Sequence, residues 1–113
     1  MNKVLSYKVP ITIADSATAG SLASIPINGI MKGYSITVPN LTGTVTVTLA
    51  ITDVWGTTVY SKASIAENTT TTSFVDANNF PYELPLVGPL TVTITASGAQ
   101  TGAQSLSVII YYI

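Results

Sequence analysis

An all-β fold, a single antiparallel β-sandwich of about eight strands, is what three observations predict for this chain of 113 residues. Apolar residues alternate with threonine or another polar residue over most of the length, which is the period of a half-buried strand. Thr (18), Ile (12) and Val (11) dominate the composition, and their branched β-carbons suit a pleated surface better than a helix. Turn residues recur at short intervals, and no segment carries a helical apolar stripe with caps. The length fits one domain over 1–113. A domain of this size buries roughly two thirds of its chain surface, enough for a core without staples.

The first strand is read over 3–13, where Leu5, Tyr7, Val9, Ile11 and Ile13 alternate with Ser6, Lys8, Pro10 and Thr12. Residues 14–24 read as a flexible loop or a single turn of helix, overlapping a second strand at 21–28. Asn28-Gly29 separates that strand from a third at 30–38, and Pro39 to Gly43 form the next turn. The fourth, 44–52, sets Val45, Val47, Leu49 and Ile51 against Thr44, Thr46, Thr48 and Ala50. Asp53-Val54-Trp55-Gly56 then closes a hairpin onto 57–62, with Gly56 free to take the positive φ of the loop. A sixth strand spans 70–75 in a threonine run that also fits an exposed loop. The stretch 76–89 holds three of the six Pro and two Asn, so it is a long connection that crosses between sheets or covers an end of the domain. Strands at 90–97 and 104–112 complete the set, joined by the Ser97–Gly102 turn. Pro10 and Pro26 lack a ladder donor and argue for an edge, a bulge or a strand end where they fall. Eight strands with one long crossover favour a jelly-roll-like topology over the immunoglobulin-like alternative.

Composition removes much chemistry. There is no Cys and no His, hence no disulfide, no thiolate nucleophile, no Ser-His-Asp triad and no His-based zinc site. There is no Arg, so bidentate capture of phosphate is missing. Lys3, Lys8, Lys32 and Lys62 are scattered and the net charge is -1, which argues against a nucleic-acid partner. Asp15, Asp53, Glu67, Asp76 and Glu83 are isolated in sequence; they form neither the carboxylate pair of a glycosidase nor the clustered oxygens of a calcium loop. Catalytic, metal and cofactor sites are accordingly expected to be none. No apolar stretch is long enough to span a membrane as a helix. The segment Met1–Lys8 has no apolar signal region and reads as the start of a mature protein made in the cytosol without a signal peptide. Mean hydropathy is nevertheless +0.49 with only 8% charged residues, a surface that tends to be covered by copies of itself or by a partner.

Aromatic residues supply the candidate contacts. Trp55 lies at the tip of a turn that needs no large ring, so it is either an exposed anchor or folded back on the rim. Phe80 and Tyr82, spaced by Pro81, either anchor a partner or form the small core of the long loop. Tyr111, in the run Val108 to Ile113, belongs either to a central strand buried on both faces or to an oligomer contact.

The segments Leu49-Ala50-Ile51-Thr52-Asp53 with Gly56-Thr57-Thr58-Val59-Tyr60, Pro85-Leu86-Val87-Gly88-Pro89 leading into Leu90–Ile94, and Ser107–Tyr112 together resemble the small all-β virion proteins of tailed double-stranded DNA bacteriophages. These are capsid decoration or head-associated proteins, and the resemblance runs from about residue 25 onward. It implies a non-enzymatic protein of the virion that stabilises a capsid, as a homo-oligomer, trimer preferred, seated on a major capsid protein. No individual residue role carries over. The alternative is a carbohydrate- or receptor-binding module of a fibre or adhesin, in which Trp55, Tyr60, Phe80 and Tyr82 form a flat, exposed platform.

Overall fold

A computed structural model describes residues 3–113; Met1 and Asn2, part of the leader reading above, lie outside the described residues. Nine strands form: β1 (Leu5–Ile13), β2 (Ala19–Ile25), β3 (Asn28–Val38), β4 (Thr46–Thr52), β5 (Thr58–Ala66), β6 (Thr69–Ser73), β7 (Leu84–Val87), β8 (Leu90–Ala96) and β9 (Gln104–Tyr112). One sheet runs β1-β9-β3-β6, with β7 also on β3; the other runs β2-β8-β4-β5. All the pairings are antiparallel.

Strands β6 and β7 lie end to end along one flank of β3: β6 pairs residues 34–38 and β7 pairs residues 28–31. Counted as one interrupted strand, they leave a nested order in which the first strand pairs with the last, the second with the next to last, the third with the interrupted one, and β4 with β5. The chain is thus one long hairpin wrapped into two facing sheets. That is the jelly roll, and the immunoglobulin-like alternative falls away.

Alternation does what the sequence predicts. In β4, Val47, Leu49 and Ile51 are buried while Thr46, Thr48, Ala50 and Thr52 are not; in β8, Leu90, Val92, Ile94 and Ala96 point inward. From the other sheet Val9, Ile11, Ile13, Met31, Tyr34, Ile36, Val38, Leu106, Val108 and Ile110 complete the core. Pro10 lies on an edge strand and Pro26 follows the end of β2. Asp53 Oδ1 accepts from the Trp55 and Thr57 N–H groups at 3.0 and 2.9 Å, and Gly56 has φ 79°, as the hairpin requires.

Several boundaries move. Residues 14–18 are a turn, and β2 begins at Ala19. Asn28 opens β3 instead of separating two strands; Pro26-Ile27 makes the turn. β5 runs on to Ala66, past the expected end at 62, and the threonine run is a strand. The stretch 76–89 contains β7, hidden from pattern reading because Pro85 interrupts four residues flanked by Glu83 and Gly88.

Candidate functional site

The two ends of the sandwich differ. At one end lie the Trp55 turn, the Pro26-Ile27 turn, the Gly88-Pro89 turn and the start of β1, whose Leu5 pairs with Tyr112. The Val54 N–H donates to the Val87 carbonyl at 3.0 Å, tying the β4–β5 turn to β7. Trp55 is 74% exposed; it does not fold back onto the rim.

The opposite end is knit by polar side chains. Gln100 Oε1 accepts from the Thr42 N–H at 2.7 Å, and its Nε2 donates to the Gly98 carbonyl at 3.1 Å. Its backbone bridges to Ser16 and Ala17. Glu67 accepts from the Leu41 and Val45 N–H groups at 3.2 and 2.8 Å, and Asp15 accepts from the Gly102 N–H at 2.7 Å.

Between the sheets, on the side where β5 and β6 form the edges, a groove of about 550 Å³ opens. Its floor is three tyrosines. Tyr34 comes from β3, Tyr60 from β5 and Tyr82 from the 74–83 loop, with ring centroids 5.3 Å (Tyr34–Tyr60), 5.3 Å (Tyr60–Tyr82) and 6.3 Å (Tyr34–Tyr82) apart. The Tyr60 and Tyr82 hydroxyls are 3.1 Å apart. Thr71, Thr72 and Ser73 form one wall; Lys62 and Asp76 stand at the rim. Asp76 Oδ1 is occupied by the Asn78 and Phe80 N–H groups at 2.8 and 3.0 Å. The groove therefore offers hydroxyls and aromatic edges, without a nucleophile beside a base.

Burial, together with the adjoining Tyr34 and Tyr82 hydroxyls, holds the Tyr60 phenol well above the ordinary tyrosine value of 10.0. Below pH 10 the phenol is protonated in folded and unfolded chains alike, so its contribution is complete. Above pH 10 the unfolded chain loses this proton while the folded chain keeps it, and stability falls. The thermal midpoint is expected to drop between pH 10 and 11.5, and Tyr60→Phe is expected to flatten that drop. Melting curves across the range check it; an equal drop in the variant would place the effect elsewhere.

A third feature lies on the outer face of the β1-β9-β3-β6 sheet. β9 is an inner strand, and Leu106, Val108 and Ile110 are buried, but Ile109 and Tyr111 are half-buried. The expectation of burial on both faces is thus corrected: no second layer covers this face among the described residues. The Phe74 ring lies 5.0 Å from that of Tyr111. It can do so because Gly33 beneath it has no side chain; a β-carbon there would run into the Phe74 ring and come 2.7 Å from the Ser73 carbonyl oxygen.

The four aromatic candidates are therefore spread over the molecule. Trp55 marks one end, Phe80 is 66% exposed on the long loop, Tyr82 is 9% exposed in the groove floor, and Tyr111 flanks Phe74. Tyr60 and Tyr82 meet edge-on at 77°, so the flat platform of Trp55, Tyr60, Phe80 and Tyr82 does not form. Every carboxylate has a structural partner: Asp15, Asp53, Glu67 and Asp76 accept from backbone N–H groups, and Glu83 pairs with Lys32 at 3.2 Å. Among the described residues no three acidic groups gather where they could hold a metal ion.

The same fold occurs in a viral shell. The structure of the cyanophage Pam1 capsid asymmetric unit matches 97% of this chain and 84% of its own, at 20% identity and a TM-score of 0.60. Bacillus endospore appendages, which are disulfide-linked pili, match 96% and 87% at 22% identity and 0.49. The Yersinia pseudotuberculosis-derived mitogen matches 100% and 88% at 11% identity and 0.45. At these identities the likeness concerns the fold. No protein-family model and no curated protein matches the chain.

Proposed function

We propose that this chain, as one sandwich domain over 1–113, is a non-enzymatic structural protein of a bacteriophage virion. In this reading it decorates and stabilises the capsid through contacts with its own copies and with the major capsid protein, and a trimer is the preferred assembly. The observation that carries the reading is the jelly roll spanning almost the whole chain, shared with the cyanophage capsid structure. Two features support it. Four of the five carboxylates are engaged in holding loops and the fifth, Glu83, pairs with Lys32 at the surface, which leaves little for catalysis. Apolar surface remains exposed at Val54, Trp55, Phe74, Val75 and Phe80, the kind of residue that partners cover.

Light scattering on the purified protein, followed by cryo-electron microscopy of capsids saturated with it, tests the reading. A multimer that occupies symmetric positions on the shell is the expected result. A monomer at high concentration that leaves the shell bare would refute it. Trp55→Ala is expected to leave unfolding within about 0.5 kcal/mol of wild type, as for an exposed position. If Trp55 anchors the shell contact, the variant loses roughly 2 kcal/mol of binding, about 30-fold in affinity.

A further inference from the structure

The four strand flanks that end the two sheets, with β7 counted beside β6, are not equally protected against pairing with another chain. An edge strand offers unpaired N–H and C=O groups, and proteins blunt it with Pro, Lys, bulges or cover. β1 carries Lys8 and Pro10, both exposed, and packs against β2. β2 loses its register between Leu22 and Ile25, with Ser24 at φ 60°, and ends on Pro26. β5 is irregular twice against β4, has Ser64 at φ 59° and carries Lys62. β7 has four residues and contains Pro85.

β6, five residues long, is protected by no Pro, no Lys and no bulge. Thr69-Thr70-Thr71-Thr72-Ser73 pairs one for one with Val38-Thr37-Ile36-Ser35-Tyr34, without a bulge. It contains no charge, no Pro and no Gly. Apart from its ladder with β3, none of its backbone groups has a hydrogen-bond partner among the described residues. Its outward hydroxyls are already in a ladder, Thr72 with Ser35 at 2.9 Å and Thr70 with Thr37 at 3.2 Å.

We propose that β6 is a self-pairing edge: it takes the β6 strand of a second copy, antiparallel, with Thr71 on the two-fold axis. A second copy is the occupant because the strand is uncharged, so identical strands meet without repulsion. Thr–Thr pairs across antiparallel strands are favourable, and centring on Thr71 gives the greatest overlap of two five-residue strands. The contact is isologous. It joins two chains, or two trimers, into one continuous sheet. The inference rests on the self-association proposed above and adds its location and symmetry.

Opposite Thr70 of one copy stands Thr72 of the other. Thr70→Lys/Thr72→Lys therefore sets like charges face to face, and the particle mass by sedimentation is expected to halve. Thr70→Lys/Thr72→Glu sets opposite charges together, and the wild-type mass is expected to persist. Because the chain has no Cys, Thr71→Cys reports the axis directly. Paired antiparallel residues have Cα atoms about 4.5–5.5 Å apart, within disulfide reach, so mild oxidation is expected to give a covalent dimer. A wild-type multimer whose mass survives the double lysine change, or whose Thr71→Cys form does not cross-link, overturns this contact and leaves the virion reading standing. A wild type that is a single chain at high concentration overturns this contact, and if it also leaves the shell bare it overturns both. Should the lysine variant fail to fold, the cysteine result alone decides.

Discussion

Replacing Tyr34 by alanine is expected to remove about 3–5 kcal/mol of folding stability, the range for truncating a large buried aromatic. Tyr34 is buried, and its ring faces Tyr60 of the opposite sheet and Tyr82 of the long loop. On the side where β1 meets β2 the two sheets pack strand against strand. On the β5–β6 side the three rings fill the gap instead, so truncation there leaves a hole and also releases two aromatic contacts worth about 0.5–1.5 kcal/mol each. A domain of this size has roughly 5–15 kcal/mol in all. The loss should be plain as a lower urea midpoint followed by circular dichroism. Tyr34→Phe keeps the ring and should lose no more than about 1 kcal/mol, the net worth of one hydrogen bond. A Tyr34→Ala loss below about 1.5 kcal/mol would mean that the loop or β5 collapses into the space, and that the rings are not what keeps the two sheets apart there.

How far the sequence could be read depended on burial geometry. β1, β4 and β8 each set apolar residues at alternate positions because one face meets the core, and period 2 exposed them, whereas β9 shows in the sequence as a continuous apolar run from Val108. The last part of β5, Ser61 to Ala66, has only Ile65 buried, so an edge strand without an inner face gave no alternation to read. β6 was recognisable only by its run of four β-branched Thr before Ser73, since such a run has no period. Tyr34, Tyr60 and Tyr82 fell on three separate segments, and only the nested pairing of the jelly roll brings them together. Trp55, Phe80 and Tyr82 stand out in the sequence as turn or loop residues, a sound guide to exposure for Trp55 and Phe80. It failed for Tyr82, because the loop folds back across the open side of the sandwich and Tyr82 becomes part of its floor.

The exclusions drawn from composition bear on the site in the same way. Loop N–H groups need acceptors where ladder bonds stop, and a carboxylate, with two oxygens and no proton to donate, is the strongest the chain has, though there are only five. Four of them are spent on turns, and each turn so held lies at an end of the sandwich or in the long loop, where ladder bonds stop. The acids are therefore dispersed by the demands of the turns, which is the physical reason that no three of them gather among the described residues.

Gln100 shows how much one such residue can hold. It lies in a turn whose Gly and Thr neighbours suggest solvent, yet it is 2% exposed and joins three loops: it binds Thr42 through its side chain, and Ser16 and Ala17 through its backbone. Gln100→Ala leaves the backbone bridges but strands the Thr42 N–H and the Gly98 carbonyl. Thr42 is exposed and Gly98 half-buried, so water replaces part of what is lost, and a loss of about 1–3 kcal/mol is expected, the net worth of two hydrogen bonds. Gln100→Glu separates the polar from the packing contribution. The charged acid accepts from Thr42 but meets the Gly98 carbonyl, which the amide Nε2 now satisfies at 3.1 Å; burial and that oxygen both raise its pKa above the unfolded value of about 4.3. A raised carboxyl pKa gives stability that is complete below the unfolded value and is lost as pH rises through the folded one. Relative to wild type, Gln100→Glu should therefore be close to normal at pH 3.5, where the neutral acid can donate to Gly98 as the amide does, and markedly weakened at pH 7. Unfolding both variants in urea at the two pH values checks this. A Gln100→Glu protein equally stable at both would show that the loops can open to solvate the charge, and the end of the sandwich would not be the rigid cap that its hydrogen bonds describe.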